Sequence, residues 1–204
     1  MLIRNILSLA GVATLAGCVA GYTLVQPGIH TAQDLQVYAG PGWNLVPSTV
    51  TAAARKGAQT WTQDGVLLDR LVLIPAIADG ETVLVDKTNT AALPVFHKDM
   101  LPNEVEELME STLVKYFGEG NAAVSTSNLR PQDFGNQHGF KFDILVKLTD
   151  SPDFKGTVGN FISDKKLYSI WYLAADPYYH DKHLARAEEI MASATLVRAV
   201  SETD

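Results

Sequence analysis

Cysteine is nearly absent from this chain: Cys18 is its sole thiol. A disulfide framework, a cysteine zinc site and a Cys-X-X-Cys redox pair are therefore excluded. Clustered positive charge is missing too. The densest basic spots are the pairs Arg55-Lys56 and Lys165-Lys166, in a chain of net charge −7. A polyanion binder neutralises phosphates with grouped cations, so no nucleic-acid partner is expected. Beyond the N-terminal segment no apolar run is long enough to span a bilayer, and no internal repeat or low-complexity tract divides the chain. Gly-x-Ser-x-Gly, His-Glu-x-x-His and a Gly-Lys-Ser/Thr phosphate loop are all lacking, which removes the common hydrolase and nucleotide signatures.

The N-terminus holds the most information. Arg4, then the apolar run Ile6–Thr14, then Leu15-Ala16-Gly17-Cys18 have the layout of an export signal. The tetrapeptide resembles the lipobox of bacterial lipoproteins. That resemblance implies a diacylglyceryl group on the Cys18 thiol, cleavage before Cys18 and acylation of the new amino terminus. The alternatives are an ordinary secretory peptide cut near Ala16 or Gly17, or an N-terminal helix that is never removed. Each buried methylene contributes about 0.8 kcal/mol and one chain alone holds weakly, so two or three chains make release from the membrane slow. Val19 follows the cysteine where family members kept at the inner membrane often carry aspartate. The resemblance therefore points to the periplasmic face of the outer membrane, in the cell envelope. Removing residues 1–17 with their single charge, Arg4, leaves 187 of the 204 residues and takes the net charge from −7 to −8.

Three segments are expected: signal peptide 1–17, lipidated N-terminus and tether 18–42, and one domain over 43–200. The tether is punctuated by Gly21, Pro27, Gly28, Gly40, Pro41 and Gly42. Tyr22–Val25 and Leu35–Tyr38 nevertheless have strand-forming residues and can pack on the domain. Asp64-Gly65 between Gln59–Thr62 and Val66–Ile74 predicts a hairpin ended by Pro75. Thr82–Val85 reads as a short strand and 86–102 as loop. Val105, Leu108, Met109, Leu113 and Tyr116 share one face of a predicted helix, capped by Asn103 with Glu106 and stopped by Gly118. Ala123–Leu129 and Phe140–Leu148 read as strands, the latter with Lys141, Asp143 and Lys147 on a wet face. A hairpin over Gly156–Ser163 and Leu167–Ala174 follows, its second strand apolar on both faces and so central. A last helix is predicted from Asp181, with Leu184, Ala187, Ile190, Met191 and Ala194 inward.

This order predicts an α+β domain with a mainly antiparallel sheet packed by a mid-chain and a C-terminal helix. It resembles the PsbP-like fold, an α/β/α sandwich. The matching pieces are Trp61–Gly65, the mid-chain helix, Lys166–Ile170 and Ala187–Ser193. Members of that fold are mostly non-enzymatic accessory, assembly or binding proteins, so the resemblance implies no catalysis.

Candidate chemistry is sparse. Gly118-Glu119-Gly120-Asn121-Ala122-Ala123 has dinucleotide-loop spacing, but it leaves a helix and enters a strand, the reverse of the order that aims amides at pyrophosphate. His180 and His183, near Asp176 and Asp181, are candidate metal ligands lacking an identified third partner, so no metal and no cofactor is expected. His30, His97 and His138 are scattered, and Asp150 and Asp153 flank a Pro152 turn. Tyr168, Trp171 and Tyr172 read as core. Tyr178 and Tyr179, assigned to the strand-to-helix loop, are the candidate partner-binding residues. Arg70 falls on the Val66, Leu68, Val72 face, where a charge demands a partner or a rim position. The functional expectation is a lipid-anchored, non-catalytic binding or assembly module with an envelope protein partner. The alternative is a small-ligand carrier or hydrolase-type enzyme with a pocket between sheet and helix.

Overall fold

A computed structural model describes residues 21–51, 55–85, 92–118, 120–149 and 151–197. Cys18 with its signal segment, the 86–91 stretch, Glu119 and Asp150 lie outside the described residues. In chain order the elements are β1 (Thr23–Leu24), β2 (Gly28–Ala32), β3 (Leu35–Ala39), β4 (Asn44–Leu45), β5 (Gln59–Thr62), β6 (Asp69–Ile77), α1 (Pro102–Phe117), β7 (Ala122–Phe134), β8 (Gln137–Leu148), β9 (Phe154–Ser163), β10 (Lys166–Ala175), α2 (Tyr178–Ala192) and β11 (Thr195–Leu196). An antiparallel sheet in the order β1-β4-β5-β6-β10-β9-β8-β7 forms the middle layer, and β11-β3-β2 form a second, small sheet.

Strand alternation divides the interior in two. Leu167, Trp171 and Leu173 of β10 meet Leu108, Met109 and Leu113 of α1 on one face. Tyr168, Ile170 and Tyr172 meet Ala187, Ile190 and Met191 of α2, together with Leu35 and Val37 of β3, on the other. β10 is central between β6 and β9, as an all-apolar strand requires. The result is the expected α+β fold, a sheet with one helix on each face. From Thr23 onward the segment read as a tether is strand-forming: β1 pairs β4, and β3 pairs β2 and β11.

Several local expectations need correction. β6 begins at Asp69, not Val66, and continues through Pro75 to Ile77. The register slips there, Leu167 facing Ile77 while Ser169 faces Ile74, and this bulge accommodates a residue without an N–H. The loop before β6 is organised by the Asp69 side chain, which accepts hydrogen bonds from the Thr62 hydroxyl (2.9 Å) and from the amides of Gln63 (2.9 Å) and Asp64 (2.7 Å). Helix α1 starts at Pro102, and Glu104, not Glu106, reaches back to the Leu101 amide at 2.7 Å. Proline at the first helical position, where no N–H is needed and φ is already set, prevails over the asparagine cap. α2 starts at Tyr178, three residues before the expected Asp181. Thr82 makes only an isolated bridge to Val95, and β7 and β8 each extend to the turn at 135–136. Pro131 is tolerated because β7 is an edge strand. Of the face carrying Lys141, Asp143 and Lys147 only Lys147 is exposed as expected: Lys141 and Asp143 are half-buried, with Lys141 Nζ 2.8 Å from Glu188 of α2 and Arg130 2.9 Å from Asp143.

Candidate functional site

Between the sheet and the C-terminal half of α1 lies a cavity of about 280 Å³. Its floor comes from Val72 and Ile74 of β6, Trp171 and Leu173 of β10, Phe154 of β9 and Val146 of β8, and Leu113, Tyr116 and Phe117 of α1 cover it. Val50, Val66, Val83 and Leu84 complete walls that are overwhelmingly hydrocarbon.

Two guanidinium groups line this space, in opposite circumstances. Arg55 is engaged, donating to the Thr82 carbonyl and to Glu81. Arg70 is not: among the described residues it has no ion pair, and its buried Nε has no hydrogen-bond partner. Its Cζ sits 5.2 Å from the centroid of the Phe154 ring. The neighbouring Asp69 cannot serve it, because successive strand residues point to opposite faces and the Asp69 oxygens are already taken by the β5–β6 loop. Burial pushes the Arg70 pKa down, opposed by the fields of Tyr116 and Asp69. The sequence placed Arg70 correctly on the Val72 face, but among the described residues it has no ion pair, and Val66 and Leu68 belong to the preceding turn rather than the strand, Val66 still reaching the same cavity.

The sequence-predicted residues gather at the head of α2. Tyr178 is 66% exposed, whereas Tyr179 packs against both halves of the interior and its carbonyl accepts the Tyr172 hydroxyl at 2.9 Å. Both stand in the first helical turn, not in a loop. Lys182 Nζ lies over both rings, 5.6 and 5.8 Å from their centroids. It also grips Asp64 in the β5–β6 loop (2.7 and 2.8 Å), which takes His183 Nε2 on Oδ2 at 2.6 Å. Burial raises the Asp64 pKa, but hydrogen bonds and charge from Lys182 and His183 outweigh it and hold the carboxyl below its ordinary value. His180 and His183 do not converge: His180 Nδ1 turns to Asp181 at 2.8 Å, away from the Asp64 contact. No group of three His, Cys, Asp or Glu among the described residues could hold a metal ion. The Asp64–His183 pair has the look of a dyad, yet the second nitrogen, Nδ1, is buried with no hydroxyl on it. It latches the loop to the helix.

A second, polar groove of about 450 Å³ lies on the α2 face, lined by Ser125, Arg130, Asp143, Lys155, His180 and Glu188 among others. Its charges pair among themselves or with neighbours: Arg130 with Asp143, Glu188 with Lys141, Lys155 with Asp176 at 2.9 Å. The groove has no unanswered charge comparable to Arg70.

No family model and no curated protein matches the chain. Its fold is that of a solved structure, the solution structure of cyanobacterial PsbP (CyanoP) from Synechocystis sp. PCC 6803. The two superpose with a TM-score of 0.57 at 12% identity, over 92% of this chain and 98% of that one. A crystal structure from Bacteroides thetaiotaomicron aligns with a TM-score of 0.47 at 10% identity, over 85% of this chain and 50% of that one. The chain thus has a PsbP-like fold.

Proposed function

We propose that the chain is a non-catalytic binding module of the cell envelope, anchored through lipid on Cys18 at the periplasmic face of the outer membrane, and that its binding site is the cavity under α1. The observation that carries this reading is an apolar cavity about the size of a small ligand, placed between the sheet and one helix. Of the two functional expectations, ligand carriage gains most from the geometry. A partner contact through Tyr178-Tyr179 rests on Tyr178 alone, since Tyr179 is half-buried and held by the fold. No helix among the described residues is long and apolar enough to cross a membrane, so attachment rests on the lipobox-like Leu15–Cys18.

Native mass spectrometry of the full chain released from membranes tests the binding role. Wild-type protein should carry a small-molecule adduct that Leu113→Trp, which fills the cavity, loses without loss of folding. Identical adduct-free spectra for both, with no adduct regained on incubation with an apolar probe such as 1-octanol, would reject the cavity as a binding site.

A further inference from the structure

The Arg70 guanidinium is the one cation lining the cavity that lacks an acidic partner among the described residues, and this asymmetry bears on the ligand. A charge set in a hydrocarbon wall with no counter-ion is costly, and fold stability gives no reason to keep it. The Phe154 ring centroid lies 5.2 Å from Cζ, within cation–π range. Nε is closed off, so the two terminal nitrogens, which donate no hydrogen bond among the described residues, are the ones that can meet a ligand, and together they can donate two hydrogen bonds to a carboxylate. Tyr116 lines the same space and lies close enough to influence the Arg70 charge, so a second polar group stands near the first. Thr51 and Thr60 also line the space, and the rest of the surroundings, Val72, Leu113, Phe154, Leu173 and Trp171, whose indole N–H is taken by Ser169, is apolar.

We infer that the cavity takes an amphipathic monocarboxylate, its head paired with Arg70 and its apolar tail lying between α1 and the sheet. This rests on the cavity being the binding site. One unpaired cation balances one negative charge, since Arg55 is already engaged by Glu81; a dianionic head such as a phosphate monoester would leave charge over. The volume of about 280 Å³ holds roughly nine water-sized groups, which sets the tail at medium length, near that of an eight-carbon acid.

The test is calorimetric titration of the full chain in lipid nanodiscs with octanoate and with 1-octanol, referenced to empty nanodiscs. Octanoate should bind wild type about ten-fold or more tightly than octanol. Arg70→Met should bring that ratio to two-fold or less while leaving octanol affinity unchanged, and Arg70→Lys should keep part of the preference. Equal binding of octanoate and octanol to wild type would leave the cavity as a binding site and overturn the carboxylate assignment. Binding of neither would overturn both. An octanoate preference that survives Arg70→Met would place the anion elsewhere and also overturn the inference. Circular dichroism and thermal melts establish that each variant is folded, so a loss of preference reports on the head contact.

Discussion

Replacing Arg70 by methionine should cost the unliganded protein no stability and give it a slight gain, an unusual outcome for a substitution in a core-facing strand position. Methionine keeps most of the aliphatic stem and removes a cation that has no ion pair and a buried Nε without a partner. Replacing buried charge by well-packed apolar groups commonly yields about 1–4 kcal/mol, and the low end applies because Arg70 is only half-buried. Loss of the contact with Phe154 takes back about 0.5–1 kcal/mol. The net expectation is a gain of about 0–0.5 kcal/mol, which leaves Tm level or raises it by up to about 2 °C for a domain of this size. Paired thermal melts of wild type and Arg70→Met at pH 7, after delipidation of both, measure it. A fall in Tm of several degrees for Arg70→Met would show that the guanidinium holds the fold together, and the argument for a ligand-directed charge would fail. Octanoate should reverse the order by stabilising wild type more than the variant, because a ligand that binds only the native state raises Tm by mass action.

Asp64→Asn should cost about 1 kcal/mol at pH 7 by weakening the contacts to Lys182 and to the buried His183. The Asp64 carboxyl is depressed in the fold, so its stabilisation is fully present above the unfolded value of 3.8 and is lost as pH falls through the lower folded value. Melts of the two proteins should therefore differ at pH 7 and converge as the pH drops below 3.8. Leu108→Asp, which puts a charge at a buried site facing the sheet, should cost several kcal/mol, whereas exposed Glu107→Ala should leave the melt within about 0.5 kcal/mol. Tyr178→Ala should leave the melt nearly unchanged and Tyr179→Ala should lower it, a split that urea titration resolves. Cys18→Ser should abolish incorporation of labelled palmitate and shift the protein out of the membrane fraction; unchanged fractionation would remove the anchor from the account.

What could be read from the sequence was whatever rests on local periodicity. The buried face of α1, the inward residues of α2 and the two-sided apolar character of β10 all follow from spacing along a single element. The β9–β10 hairpin was legible as well, although β10 starts one residue early, at Lys166, and the turn is Asp164 and Lys165 alone, both at positive φ without glycine. The errors came where a distant partner decides. Pro75 ends a strand by local rules, and only the bulge supplied by β10 lets β6 run past it. Asn103 is a good cap in isolation, but Pro102 starts the helix earlier. Asp69 looks like one more surface acid in the sequence, yet it is fully buried and holds the β5–β6 loop through three hydrogen bonds.

The cavity was hidden for a related reason. Its walls come from residues near 50, 72, 83, 113, 154 and 171, and an unfilled volume between such segments leaves no trace in any one of them. The only sequence signal was Arg70 itself, a charge at an apolar strand position. Its misfit was visible, but its lack of a counter-ion was not, because alternation alone could not show that Asp69 was already engaged on the opposite face.

The most direct test of the binding role is a crystal structure of the chain soaked with 8-bromooctanoate, in which anomalous scattering locates the tail end unambiguously. One bromine peak is expected inside the cavity among Leu113, Phe154 and Trp171, with carboxylate density against the Arg70 guanidinium. A cavity without bromine, or a peak only beside Tyr178 at the head of α2, would contradict it.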